Sequence, residues 1–86
     1  MPRYLIERRF AEKVELDKNG AASITRINDE EGVKWLFSFL SADKMRTYCL
    51  YEAPSVEAIR VAAKRNNLPA DVIIEIDSEI RPEMFA

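Results

Sequence analysis

The chain has 86 residues, of which 48% are hydrophobic and 33% charged, and a formal net charge of −2. It contains no histidine and one cysteine, Cys49, which excludes a Ser-His-Asp triad, a Cys-His dyad, a histidine-ligated metal and a disulfide within the chain. Acids and bases are interspersed, so no basic patch points to nucleic acid, and no apolar run reaches the ~18 residues of a membrane span.

The first strand is predicted over residues 4–10. Strict alternation there sends Tyr4, Ile6 and Arg8 to one side and Leu5, Glu7 and Arg9 to the other. Residues 11–16 form a connector. Asp17 is placed to cap a helix running to about residue 29, with Ala21, Ile24 and Ile27 at helical spacing. Gly20 weakens that helix, since a mid-helix glycine costs about 1 kcal/mol relative to alanine. Glu31-Gly32 ends it. Strands follow over 33–40 and 45–52, joined by the polar turn Ser41-Ala42-Asp43-Lys44, where Asp43 suits a local bond to the backbone.

Ser55 caps a second helix, with Val56, Ile59, Ala62 and Ala63 as its apolar stripe and Glu57 complementing its dipole. Asn66-Asn67-Leu68-Pro69 stops it. A fourth strand covers 72–76, and the tail from Arg81 is extended or docked. The order β-α-β-β-α-β predicts an α+β, ferredoxin-like domain spanning residues 1–86, a four-stranded antiparallel sheet with both helices on one face.

Residues 35–54 hold five of the eight aromatic residues and the only tryptophan. How the two middle strands pair decides which face those aromatics occupy. With Leu40 opposite Met45, Phe37 lies beside Tyr48. A one-residue bulge instead puts Phe37 on the side of Cys49 and Tyr51. The second pairing is favoured, because it gives the helices an aliphatic layer of Leu36, Leu40 and Leu50. It leaves Trp35, Phe37, Phe39, Cys49 and Tyr51 on the uncovered face, with Leu5 and Glu7 as neighbours. A large exposed apolar patch is unusual for a monomer, and a domain this short buries only about 60% of its unfolded surface. Both considerations predict a homodimer through the sheet face.

The candidate ligand contacts are Glu7 and Cys49 as polar groups, Trp35, Phe37 and Tyr51 as walls, and Glu52 at a strand end. Cys49 is either a small buried hydrophobe or a thiolate ligand. Glu7 is either an acid or base at the site or the partner of a cross-strand basic residue or of water. The acidic run Asp29-Glu30-Glu31 lacks calcium-loop spacing and reads as a solvated loop, and the basic helix end at Arg60, Lys64 and Arg65 reads as dipole compensation. The opening Met1-Pro2-Arg3-Tyr4 has no signal-peptide layout, and a single cysteine suits a reducing cytoplasm.

The run Trp35-Leu36-x-Ser38-Phe39, then Asp43-Lys44, then Tyr48-Cys49-Leu50-Tyr51-Glu52-Ala53-Pro54, then Glu57-Ala58-Ile59-Arg60 and Leu68-Pro69-Ala70-Asp71 resembles a family of small, mostly uncharacterised ferredoxin-like proteins. One member of that family is described as nickel-binding. The opening Met1-Pro2-Arg3-Tyr4-Leu5-Ile6-Glu7-Arg8 is similar to the family's start. The resemblance implies the same fold and a dimer, and carries over Cys49, Tyr51 and Glu52 as family-motif positions. A divalent transition metal such as nickel is a candidate ligand, with Cys49 as its candidate donor. Relatives often carry histidine or a basic residue where this chain has Phe37, which cannot ligate a metal. Nickel favours imidazole, thiolate or other nitrogen donors, and this chain offers Cys49, carboxylates, hydroxyls and backbone.

The resulting expectation is a small binding protein that holds a small ligand or metal ion near the aromatic face. The alternatives are a cofactor-free enzyme of oxygenase or isomerase type, by analogy of fold, and a purely structural dimerisation module.

Overall fold

A computed structural model describes residues 1–85. Strands β1 (Arg3–Arg9), β2 (Lys34–Leu40), β3 (Arg46–Glu52) and β4 (Val72–Ile76) and helices α1 (Lys18–Glu30) and α2 (Val56–Arg65) follow in the order β-α-β-β-α-β. The sheet is antiparallel, in the order β2-β3-β1-β4. This is the ferredoxin-like α+β arrangement that the patterning predicts. The tail, expected to be extended or docked, instead forms a 3-10 turn over Pro82–Phe85.

Each helix begins where the sequence places a cap. The Asp17 carboxylate accepts from the Gly20 N–H at 2.7 Å, and the Ser55 hydroxyl accepts from the Ala58 N–H at 3.2 Å. Gly20 belongs to the capping geometry: a Cβ there would meet the Leu16 side chain at 3.1 Å and Asp17 Oδ1 at 3.2 Å. α2 stops with Asn67 in the left-handed region (φ 56) and the Leu68 N–H donating to the Ala63 carbonyl at 2.9 Å. Arg65 donates to Glu30 at 2.6 Å and Glu31 at 2.7 Å, so the acidic run expected to be a solvated loop contributes two carboxylates that tie the end of α1 to the end of α2. The Arg65 guanidinium holds the Glu30 carboxyl below its usual range.

The β2–β3 turn is stabilised by its own side chains. Asp43 accepts from the Ser41 hydroxyl at 2.6 Å and from the Met45 N–H at 2.9 Å, and both bonds lower its carboxyl pKa. Beyond the turn, Leu40 pairs with Thr47, Phe39 with Tyr48, Ser38 with Cys49 and Phe37 with Leu50. A bulge at Leu36 then brings Trp35 opposite Tyr51. The bulge is real but lies inside the strand and not at the turn. It therefore divides the aromatic set expected on one face. Trp35, Cys49 and Tyr51, expected on the uncovered face, turn inward beneath the helices instead. Phe37 and Phe39 turn outward with Leu50 and Tyr48. The expected placement of Phe37 beside Cys49 is thus overturned by register. So is the expected aliphatic layer, because Leu50 opposes Leu5 on the outer face.

The core consists of Tyr4, Ile6, Cys49 and Tyr51 from the sheet, Val33, Ala53, and Ile59 and Ala62 from α2, with Trp35, Ala58, Ala70 and Ile73 packed against it. Ile6 is fully buried at the centre of β1. Trimming it to valine removes one methylene from a close-packed site, so Ile6→Val is expected to lower the unfolding free energy by about 1 kcal/mol in urea denaturation. An unchanged midpoint would show that the sheet centre is loosely packed.

Candidate functional site

The two helices leave part of the sheet's inner face unroofed. Residues 10–16 cover it at a distance, anchored by the Phe10 N–H to the Met45 carbonyl at 2.9 Å and the Val14 N–H to the Lys44 carbonyl at 2.8 Å. A cavity of about 590 Å³ lies between them. Its floor is Arg8 of β1, Thr47, Cys49 and Tyr51 of β3, and Trp35, Ser38 and Leu40 of β2. Its walls are Phe10, Val14 and Leu16 of the connector, Ile24 of α1, and Asn67-Leu68 after α2, with Glu12 and Glu15 among the other connector residues.

The floor is ordered by cross-strand rows. Arg8 opposes Thr47, which opposes Leu40; the next row joins Cys49 to Ser38, and the one after joins Tyr51 to Trp35. The Trp35 indole N–H donates to the Ser38 hydroxyl at 2.8 Å, which fixes the ring against the floor. The Cys49 thiol donates to Thr47 Oγ1 at 3.4 Å. The Arg8 guanidinium donates to the Pro69 carbonyl at 2.6 Å and lies over the Tyr51 ring, 5.6 Å from its centroid. That is cation–π distance. Burial pushes the Tyr51 phenol above its usual value, and the nearby Arg8 charge pulls the other way without cancelling it.

The structure brings together three of the residues singled out from sequence, Trp35, Cys49 and Tyr51. It separates them from the other three. Glu7 lies on the outer face, where it accepts from Arg9 Nε at 2.7 Å, a basic partner two residues along the same strand and not the cross-strand one expected. Phe37 lies on the same outer face, in edge-to-face contact with Phe39 at 5.5 Å. Glu52 also projects to that face, between Arg3 of β1 and Lys34 of β2. Sequence reasoning missed Arg8, Ser38, Thr47 and the connector. Arg8 carried a readable signal, since alternation put it in the same row as Tyr4 and Ile6. The connector carried none, because residues 10–16 have neither helical nor strand periodicity.

Residues 4–76 match the protein family described as Nickel responsive protein SCO4226-like. The chain belongs to this family. The crystal structure of SCO4226 from Streptomyces coelicolor A3(2) is similar in fold, with a TM-score of 0.77 at 21% identity, covering 91% of this chain and 99% of that one. No curated protein matches the chain significantly. Among the described residues, no helix is long and apolar enough to cross a membrane.

The donor set was tested against the metal that the SCO4226-like family name suggests. Among the described residues no group of three His, Cys, Asp or Glu side chains is placed to hold a metal ion. Cys49 supplies one soft donor on a floor whose other polar groups are hydroxyls and an arginine. Nickel sites draw on several nitrogen, thiolate or carboxylate donors. The cavity of a single subunit therefore does not fit a nickel ion.

The raised Tyr51 value has a testable sign. A phenol whose folded pKa exceeds its unfolded value stabilises the fold fully below the unfolded value of about 10. That contribution is lost as pH rises through the folded value. Ultraviolet titration is expected to show a tyrosine step above the usual phenol range, and Tyr51→Phe to remove that step. Absence of the step, or its survival in Tyr51→Phe, would contradict the placement of Tyr51.

Proposed function

We propose that this chain is a small-ligand-binding protein whose site is the cavity between the sheet's inner face and residues 10–16. The observation that carries the reading is the composition of that cavity: about 590 Å³, walled by Val14, Leu16 and Ile24, with Trp35 and Leu40 and a few polar groups on its floor. Concave, mostly apolar sites with a small number of placed polar groups are the usual form of small-molecule pockets. Trp35, Tyr51 and Cys49 keep the contact roles expected of them. Membership of a family named for its response to nickel fits a role in which nickel alters demand for the protein, with an organic molecule as its ligand. The unpaired thiol Cys49 suits a reducing cytoplasm.

The test is protection of Cys49. Neutral 1-octanol is expected to slow alkylation of Cys49 by iodoacetamide saturably, and Leu40→Trp, which adds bulk at the cavity, to abolish the protection. Nickel added to untagged protein in calorimetry is expected to give no stoichiometric heat. Alkylation indifferent to octanol, or one-to-one nickel binding lost in Cys49→Ala, would move the assignment away from an organic ligand.

A second reading concerns the outer face of the sheet, and the observation favouring it is exposed apolar surface. Phe37, Phe39 and Ile74 are 49%, 65% and 53% exposed; the row Phe37–Leu50–Leu5–Ile74 is apolar throughout, and Glu7 interrupts the neighbouring row Phe39–Tyr48–Glu7–Val72. Single hydrophobic residues at a surface are ordinary, but a contiguous patch marks an interaction site. A second copy of the chain, packed face to face, would cover it and enlarge a small core. Sedimentation at tens of micromolar (roughly the range that resolves weak dimers) is expected to give a dimer, and Phe39→Glu a folded monomer. A native monomer under those conditions removes this reading.

A further inference from the structure

Arg8 is the one charged side chain on the cavity floor, and it is 3% exposed. Among the described residues, none of the ion pairs includes it. The carboxylates near it are engaged or displaced. Asp71, the residue preceding β4, accepts from the Arg9 N–H at 2.7 Å. Glu7 pairs with Arg9 on the opposite face. Glu12 and Glu15 of the connector line the cavity but are exposed and make no ion pair with Arg8. One guanidinium N–H is used on the Pro69 carbonyl, out of the five an arginine carries. A buried cation with neither a carboxylate nor full hydration is costly to keep.

We infer that the cavity's ligand is an organic anion, a carboxylate or similar oxyanion on an apolar body, whose charged end pairs with Arg8. This rests on the reading of the cavity as a ligand site. Arginine's planar fork matches the two oxygens of a carboxylate, and such charge-assisted bonds are stronger than neutral ones. Thr47 stands directly opposite Arg8 and accepts from the Cys49 thiol, which leaves its own O–H to donate to the same oxyanion. The apolar body then runs along Leu40 toward Trp35 and beneath Val14. The same arginine repels a cation, which agrees with the missing metal donors.

The experiment compares octanoate with 1-octanol, which share a chain and differ in charge, by calorimetry on the full-length untagged protein. Octanoate is expected to bind at least about tenfold more tightly. Arg8→Gln should cost octanoate about that factor and erase the preference, while Arg8→Lys, which keeps the charge without the fork, should retain part of it. Circular dichroism checks that both variants fold, and the two-probe comparison on the native protein needs neither. Equal affinities for the native protein, or a preference that survives Arg8→Gln, would overturn the anion assignment and leave the cavity site standing. Binding of neither probe would remove both.

Discussion

Burial of the β1–β3 pair beneath two short helices is the constraint from which the rest of the molecule follows. Among the described residues, the inner residues of these strands, Tyr4, Ile6, Cys49 and Tyr51, are the only sheet residues fully within the hydrophobic core cluster. α2 covers them with Ile59 and Ala62, but its 10 residues span only about 15 Å. α1 lies against β2 and contributes Ile24 to the cavity wall. The connector before α1 closes the remaining side, and the residues of the inner rows set the cavity's chemistry.

Much of this fold was legible in the residues. The Asp17 and Ser55 caps, the Asp43 turn and the Asn67 stop act where local chemistry predicts, because each depends on bonds made within a few residues. The element order and the four-stranded antiparallel sheet were also predicted from the patterning. The register of β2 did not, since a bulge is decided by packing across strands, and nothing in Trp35-Leu36-Phe37 announces it. That one local event moved Phe37 away from Cys49 and kept Trp35 beside it. Legibility of the site was divided accordingly. Trp35, Cys49 and Tyr51 were found from composition and alternation. Arg8 was overlooked although its alternation was plain, because a charged residue in an inner row was read as strand periodicity and not as a group with an unmet need.

The chain belongs to a family described as nickel responsive, and the cavity floor of this member carries hydroxyls, one thiol and one guanidinium. The two faces of the sheet differ in character. The inner face holds the cavity, with Arg8, Ser38, Thr47 and Cys49 on its floor, and the outer face mixes the apolar Leu5, Phe37, Leu50 and Ile74 with charged residues such as Glu7, Arg9 and Glu52. Phe37 and Cys49 lie on opposite sides of one sheet.

The bulge at Leu36 also governs how this chain can be compared with its relatives. In a β-strand, position parity stands for direction, and an inserted residue inverts that parity for everything before it. Aligning another member's second strand without a gap at Leu36 would equate Trp35 with an outward residue. Aligning it with the gap misplaced would equate Phe37 with an inward one. Conservation scored column by column across this strand would then mix two surfaces under different selection. Profiles of the strand are physically meaningful only when each sequence is first assigned as bulged or regular, and a one-residue insertion or deletion here exchanges surface for interior without altering the topology.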